Sequence, residues 1–240
     1  MPDAIFEDPR LARLYDLFES DRPDLGAYVS IAVEFGAQRV LDIGCGTGVL
    51  ALILSERGHQ VVGVDPAAAS IDVARSKSGA DRIRFLVGDA TTLPPLQVDL
   101  ATMTGNVAQV FLTDADWMAT LGGINGALRP GGRLVFESRD PARRVWEEWS
   151  RDWSPERLEI DGVGVVESWA EVTRVDGRFV TFDGAVTLPD GTVVPTSSTL
   201  RFREREEFET TLADAGFTVD EVREAPDRPG LEFVFVATRN

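Results

Sequence analysis

Apolar residues recur every three to four positions near the start of the chain. They are Leu11, Leu14, Tyr15 and Phe18, then Leu25, Tyr28, Val29, Ile31, Ala32 and Phe35. That period lines one face of a helix, and Asp21-Arg22-Pro23 divides the stretch into two helices. A different rhythm follows. Short apolar runs at Arg39 to Ile43, Gln60 to Val64, Ile83 to Val87, Val98 to Met103 and Arg133 to Glu137 predict five strands. Helical patterns at Thr47 to Arg57, Ala67 to Arg75 and Asp116 to Leu128 lie between them, the last stopped by Arg129-Pro130-Gly131-Gly132. Strands without polar alternation, separated by helices, predict βαβ units and a parallel sheet covered on both faces.

The pattern changes after residue 150. Val163 to Val175, Arg178 to Leu188 and Thr192 to Arg203 read as strands, with turn signals at Asp176-Gly177 and Pro189-Asp190-Gly191. They predict an antiparallel meander, with Leu158 to Ile160 as a candidate fourth strand. Glu204 to Ala215 is helical again and ends at Gly216. Phe217 to Arg223 and Leu231 to Thr238 predict a closing antiparallel pair.

Composition narrows the function classes. The chain has 240 residues, 24 Lys plus Arg against 40 Asp plus Glu, and a formal net charge of −16. Such acidity argues against a nucleic-acid backbone as partner, which needs clustered positive charge. Cys45 is the only cysteine, so no intrachain disulfide forms. His59 is the only histidine, which leaves no Cys/His zinc site and no separate base for a serine triad. The single lysine, Lys77, lies in a polar stretch rather than a buried pocket. The first ten residues lack a basic start and an apolar run, and Val40 to Leu54 is interrupted by Asp42 and three glycines. The expectation is a cytoplasmic chain with no membrane span and no metal.

Candidate chemistry concentrates in Val40-Leu41-Asp42-Ile43-Gly44-Cys45-Gly46-Thr47-Gly48, between a strand and a helix. Glycines there let the backbone turn sharply and approach a ligand. The dinucleotide fingerprint G-x-G-x-x-G is not met, because Val49 stands at its third glycine. Asp42, two residues before the first glycine, is awkward for a pyrophosphate and suits a ligand carrying positive charge.

This loop resembles motif I of the class I S-adenosylmethionine-dependent methyltransferases, and three further marks follow in order. Val61-Val62-Gly63-Val64-Asp65 resembles the family's second strand, whose acid takes both ribose hydroxyls. Phe85-Leu86-Val87-Gly88-Asp89-Ala90 resembles the loop that meets the adenine. Leu128 to Leu134 resembles the turn entering the fifth strand. The resemblance spans about residues 35 to 138 plus the closing helix and hairpin. It implies an α/β, Rossmann-like, doubly wound and mostly parallel seven-stranded sheet, with an antiparallel β-meander inserted after the fifth strand. It divides the chain into an N-terminal helical lid (1–35), a cofactor-binding domain (36–140 and 204–240) and an inserted helix and meander (141–203), which serves as substrate cap or dimer surface.

The resemblance implies S-adenosylmethionine as cofactor, held by Asp42, Gly44, Cys45, Gly46, Gly48, Asp65, Pro66, Asp89 and Ala90. Thr104 and Asn106, after the fourth strand, are candidate contacts to its methionine part, and Tyr15 of the lid is a candidate for its carboxylate. Asn106, Arg139, Trp146 and Trp149 are candidate substrate contacts, with Trp146 and Trp149 three apart on one helix face, near Trp153. The Asn-Pro-Pro-Tyr motif of nucleobase and glutamine enzymes is absent. The expected reaction is methyl transfer to nitrogen, oxygen or carbon of a small molecule. Methyl transfer requires positioning more than a dedicated base, so no catalytic residue is assigned. A non-catalytic cofactor-binding partner or regulator is the alternative; Val49 and Asp42 disfavour an NAD-dependent reductase.

Overall fold

The computed structural model describes residues 3–18, 22–150, 152 and 156–240. Trp153 and Asp21 lie outside the described residues. The amino-terminal stretch forms α1 (Ala4–Glu7), α2 (Pro9–Phe18) and α3 (Leu25–Glu34). There follow β1 (Arg39–Ile43), α4 (Val49–Glu56), β2 (Gln60–Asp65), α5 (Ala68–Ser76), β3 (Arg84–Val87), β4 (Val98–Met103), α6 (Asp114–Ala127) and β5 (Leu128–Arg139). The meander is β6 (Glu156–Ile160), β7 (Gly164–Asp176), β8 (Phe179–Thr187) and β9 (Val193–Arg201). The chain closes with α7 (Arg205–Asp214), β10 (Phe217–Glu224) and β11 (Glu232–Arg239).

Seven strands form one sheet in the order β10-β11-β5-β4-β1-β2-β3. β1 pairs in parallel with β2 and β4, β2 with β3, and β4 with β5; β11 runs antiparallel to both β5 and β10. Residues 40–43 of β1 are buried because strands lie on both sides and helices on both faces. On one face α3, α4 and α5 pack over Val40, Leu54, Ile71, Phe85 and Val135. On the other, α6 and α7 pack over Leu41, Trp117, Phe136, Phe208 and Phe235. Strand order reverses between β1 and β4, so the loops leaving their C-terminal ends diverge and open the crevice where such sheets bind ligands.

β6, β7, β8 and β9 make a second, fully antiparallel sheet, confirming the fourth meander strand. Val166, Val186 and Val194 of this sheet cover Leu11 and Leu14 of α2. The apolar stripe read from the first helix is therefore buried against the meander.

Two local expectations are corrected. The fifth strand does not begin at Arg133; it runs from Leu128, which pairs with Val98, through a register shift to Arg133 opposite Leu100. Gly131, at φ +72°, lets the backbone bulge there, and Pro130 is tolerated because a bulged residue has no ladder bond to donate. Trp146 and Trp149 do not share a helix. They belong to a single 3-10 turn, Val145–Glu148, and the residue after it. Arg144, left-handed at φ +48°, separates this turn from another at Pro141–Arg143 and prevents a continuous helix.

Candidate active site

The loop after β1 is built on three left-handed glycines, Gly44, Gly46 and Gly48, at φ +66°, +51° and +78°. A Cβ on Gly44 would lie 2.6 Å from a Val107 methyl, and one on Gly48 would lie 2.8 Å from the Phe85 ring. Those two glycines pack. Gly46 has nothing within 4 Å at that position, so it faces open space. The Gly44 and Cys45 N–H groups donate to Val64 O at 2.9 and 3.1 Å, anchoring the loop to β2. Burial pushes the Cys45 thiol well up, which makes it inert.

Asp65 ends β2 and stands beside that loop. Its Oδ2 accepts from Gly46 N–H at 2.9 Å, and its Oδ1 accepts from Ala67 N–H at 2.8 Å, next to exposed Pro66. Burial raises its carboxyl, opposed by these two N–H bonds. Asp42 lies deeper, 1% exposed, and Thr102 Oγ1 donates to it at 3.0 Å. Burial, with the nearby Asp65 charge adding, pushes Asp42 up to about 7. An uncompensated buried carboxylate favours a cation beside it.

Asp89 is exposed after β3, and its Oδ1 accepts from Thr91 N–H and Thr91 Oγ1 at 2.8 and 2.6 Å. The buried Ala90 backbone lies against α6, where a Cβ on Gly123 would meet Ala90 O at 2.0 Å.

At the ends of β4 and β5, Glu137 organises the turn after β4. Its Oε1 accepts from Gly105 N–H at 2.6 Å and Asn106 N–H at 3.1 Å, and its Oε2 accepts from Tyr28 of α3. Burial raises Glu137, while burial and the Glu137 charge raise the Tyr28 phenol. Asn106 Nδ2 donates to Glu232 Oε1 at 3.2 Å. Glu232 also takes Arg228 at 2.8 Å and lies 3.7 Å from Arg139, whose Nη1 donates to Gln109 Oε1 at 2.9 Å. Thr104 is half-buried at the head of this turn. The Arg139 guanidinium lies 5.2 Å from the half-buried Trp149 ring, whereas Trp146 packs on Phe202 with centroids 4.4 Å apart. Asn106 and Arg139 thus meet in one network, with Trp149 at its border.

Helix α2 docks on the glycine-rich loop through Asp16. Thr47 Oγ1 donates to its Oδ1, and Lys77 Nζ lies 2.5 Å from its Oδ2 while donating to Thr47 O at 2.7 Å. The neighbouring Tyr15 ring packs on Phe6 at 5.2 Å. Glu7 accepts from Ala68 N–H at 3.1 Å, tying α1 to the start of α5.

Sequence reasoning missed Glu232, Lys77 and above all Arg201 and Arg203. Arg203, fully buried, donates to Phe111 O at 2.7 Å, Thr113 O at 3.3 Å and Ala108 O at 3.4 Å. Burial lowers it to about 10. Arg201 donates to Leu112 O at 3.0 Å and pairs with Asp114 at 2.8 Å. Together they clamp residues 108–114 to the end of the meander. The available signal was Arg-Phe-Arg, two cations on one face of a strand end, beside an apolar segment.

The crevice of the doubly wound sheet thus lies beside the glycine-rich loop and the acids Asp42 of β1 and Asp65 of β2. Residues 40–132 match the model of a methyltransferase domain family. The chain is 42% identical over 111 residues to demethylmenaquinone methyltransferase of Thermus thermophilus, covering 45% of this chain and 50% of that protein. It is 34% identical over 146 residues to cypemycin N-terminal methyltransferase of a Streptomyces species, covering 59% and 60%. The chain thus spans 50 to 60% of the length of these relatives. The whole fold is similar to SAM-bound CalS10, an amino pentose methyltransferase from Micromonospora echinaspora, with TM-score 0.72, 23% identity and coverage of 95% and 97%.

Proposed function

We propose that this protein is an S-adenosylmethionine-dependent methyltransferase acting on a small molecule. One observation carries the reading: Gly46, open to the crevice, is held by the Asp65 carboxylate at the strand-order switch. Asp65 retains lone pairs for ribose hydroxyls, since each oxygen accepts one bond here. Asp42 supplies negative charge below the glycine-rich loop, and the Ala90 backbone with Asp89 offers an edge for adenine. Thr104, Asn106 and Tyr15 border the methionine end. The donor supplies a methyl group on a sulfonium that is already a good leaving group. Bound there, the donor would give up that methyl group to an acceptor lone pair, the electrons of the S–C bond remaining on sulfur. The chain's contribution is positioning and exclusion of water.

The meander, packed on the lid helix, acts as the cap over the acceptor; its β6 edge is the surface on which a second copy would pair. The sole, inert cysteine supports a cytoplasmic location. Among the described residues no helix is long and apolar enough to cross a membrane.

Calorimetric titration with S-adenosylmethionine, S-adenosylhomocysteine and NADH tests the donor. Micromolar binding of the first two and none of the third is expected. Asp65→Ala should weaken binding by about 1.5–3 kcal/mol through loss of charge-assisted hydrogen bonds. Unchanged affinity would remove Asp65 from the site.

A further inference from the structure

In a chain with a formal net charge of −16, one cavity is lined by cations. It measures about 600 Å³, within the range of small-molecule sites. Arg39, His59, Arg82 and Arg84 line it, and among the described residues no Asp or Glu does. Arg39, Gln60 and Arg84 are the first residues of β1, β2 and β3. The cavity therefore lies at the opposite end of these strands from Asp65 and the glycine-rich loop.

Sheet register brings the cations together. Residues opposite one another in a sheet share a face, as do residues two apart on one strand. Arg39 lies opposite Gln60, and Val62, two residues on, lies opposite Arg84. Arg39, Gln60, Val62 and Arg84 thus share one face. Two strand spacings and two residues of rise set the arginine Cα atoms about 12 Å apart. Guanidinium groups leaning inward from both sides can meet one small anion between them. Neither is consumed elsewhere. Among the described residues the exposed Arg84 side chain forms no hydrogen bond or ion pair. Arg39 lies 3.6 Å from Asp99, whose Oδ1 is held more closely by Arg129 at 2.6 Å. His59 Nδ1 lies 2.7 Å from Ala37 O, and a carbonyl only accepts, so Nδ1 carries the proton and donates. That leaves Nε2 for a ligand.

We propose that this cavity binds a small phosphate monoester carrying an apolar group. A guanidinium fork takes phosphate oxygens in pairs, and a monoester offers three, enough for Arg39 and Arg84 together. Gln60 adds a neutral donor on the same face. Val62, Pro95 and Leu96 supply the apolar wall for the rest of the molecule. A polymeric nucleic acid is a poorer occupant, because its backbone would run on over a surface dominated by acids. The site is separate from the crevice, and the proposal stands without the methyl-transfer reading.

The probe is 4-fluorophenyl phosphate, followed by fluorine NMR on the full chain, with 4-fluorophenol as its phosphate-free match. The phosphate should bind at least tenfold tighter than the phenol. Inorganic phosphate should displace it, whereas S-adenosylhomocysteine should not. Arg84→Gln removes an exposed side chain without a partner, so the variant should melt as the parent does while probe affinity falls at least tenfold. Arg157→Gln makes an equal charge change on β6, where Arg157 is exposed, and should leave probe affinity unchanged. Equal binding of phosphate and phenol, binding of neither, or equal losses in both variants overturns the proposal. Displacement by S-adenosylhomocysteine would put the anion in the crevice and overturn it as well. Tighter competition by a short oligothymidylate than by inorganic phosphate would assign the face to nucleic acid instead.

Discussion

Asp42 is a buried acid in a strand that would be more stable without it. Burial raises its carboxyl from the ordinary 3.8 to about 7. Between these values the folded chain holds a proton that the unfolded chain has lost. The stability contribution is therefore full below about pH 4 and is lost as pH rises to about 7, a cost of up to about 4 kcal/mol. Asp42→Asn keeps an oxygen to accept from Thr102 and removes that cost. Its ligand-free melting temperature should exceed the parent's at pH 8 and match it near pH 4. A sulfonium beside Asp42 favours the ionised form, so parent affinity for S-adenosylmethionine should fall up to about tenfold per unit below pH 7. In the Asp42→Asn variant the affinity should be lower and flat with pH. Calorimetry from about pH 5.5 to 8.5 checks both, and a flat parent profile would detach Asp42 from the cation.

At the level of elements, adjacent glycines in α6 separate propensity from packing. Gly122 faces open space, whereas a Cβ on Gly123 would strike Ala90 O at 2.0 Å. Gly122→Ala should stabilise by up to about 1 kcal/mol, because alanine fixes less backbone entropy on folding. Gly123→Ala should destabilise by about 3 kcal/mol, since helix and loop must separate. Urea unfolding of both variants measures the contrast. The Gly123 variant should also bind S-adenosylhomocysteine more weakly, because the displaced backbone is the proposed adenine edge. Helix α7 shows a different economy, its start being set by local sequence. Glu204 and Glu207 form a reciprocal capping box at its start.

For the whole molecule, the question is how two sheets act as one. Leu11 and Leu14 of α2 pack on the meander, while Arg201 and Arg203 grip carbonyls of residues 108, 111, 112 and 113. Trp146 and Trp149 add an aromatic seam with Phe202 and Phe182. The parent should unfold in one calorimetric transition. Arg203→Met leaves three buried carbonyls without their donor, at a cost of about 3 kcal/mol. Its transition should split, with the meander melting first. A single transition at the parent temperature would show that the apolar seams alone couple the sheets.

The order of strands and helices, the meander, the closing hairpin and the glycine-rich loop were legible in the chain because each is written locally. Apolar period distinguishes strand from helix, and glycine marks the left-handed turn within a few residues of the strand it leaves. Asp42, Asp65, Asp89 and the Gly44–Gly48 loop could be singled out as candidates for that reason. The Pro130-Gly131 bulge and the broken turn around Arg144 were misread because their outcome depends on the strands they meet. Tyr28 with Glu137, 109 residues apart, and Asn106 with Glu232, 126 apart, carry no mark of one another in the chain. Hydrogen bonds between distant segments leave no period behind. The sequence by itself determined the architecture and the edge of the sheet where chemistry gathers. Only tertiary packing decided which charges pair there, because those partners lie far apart in the chain.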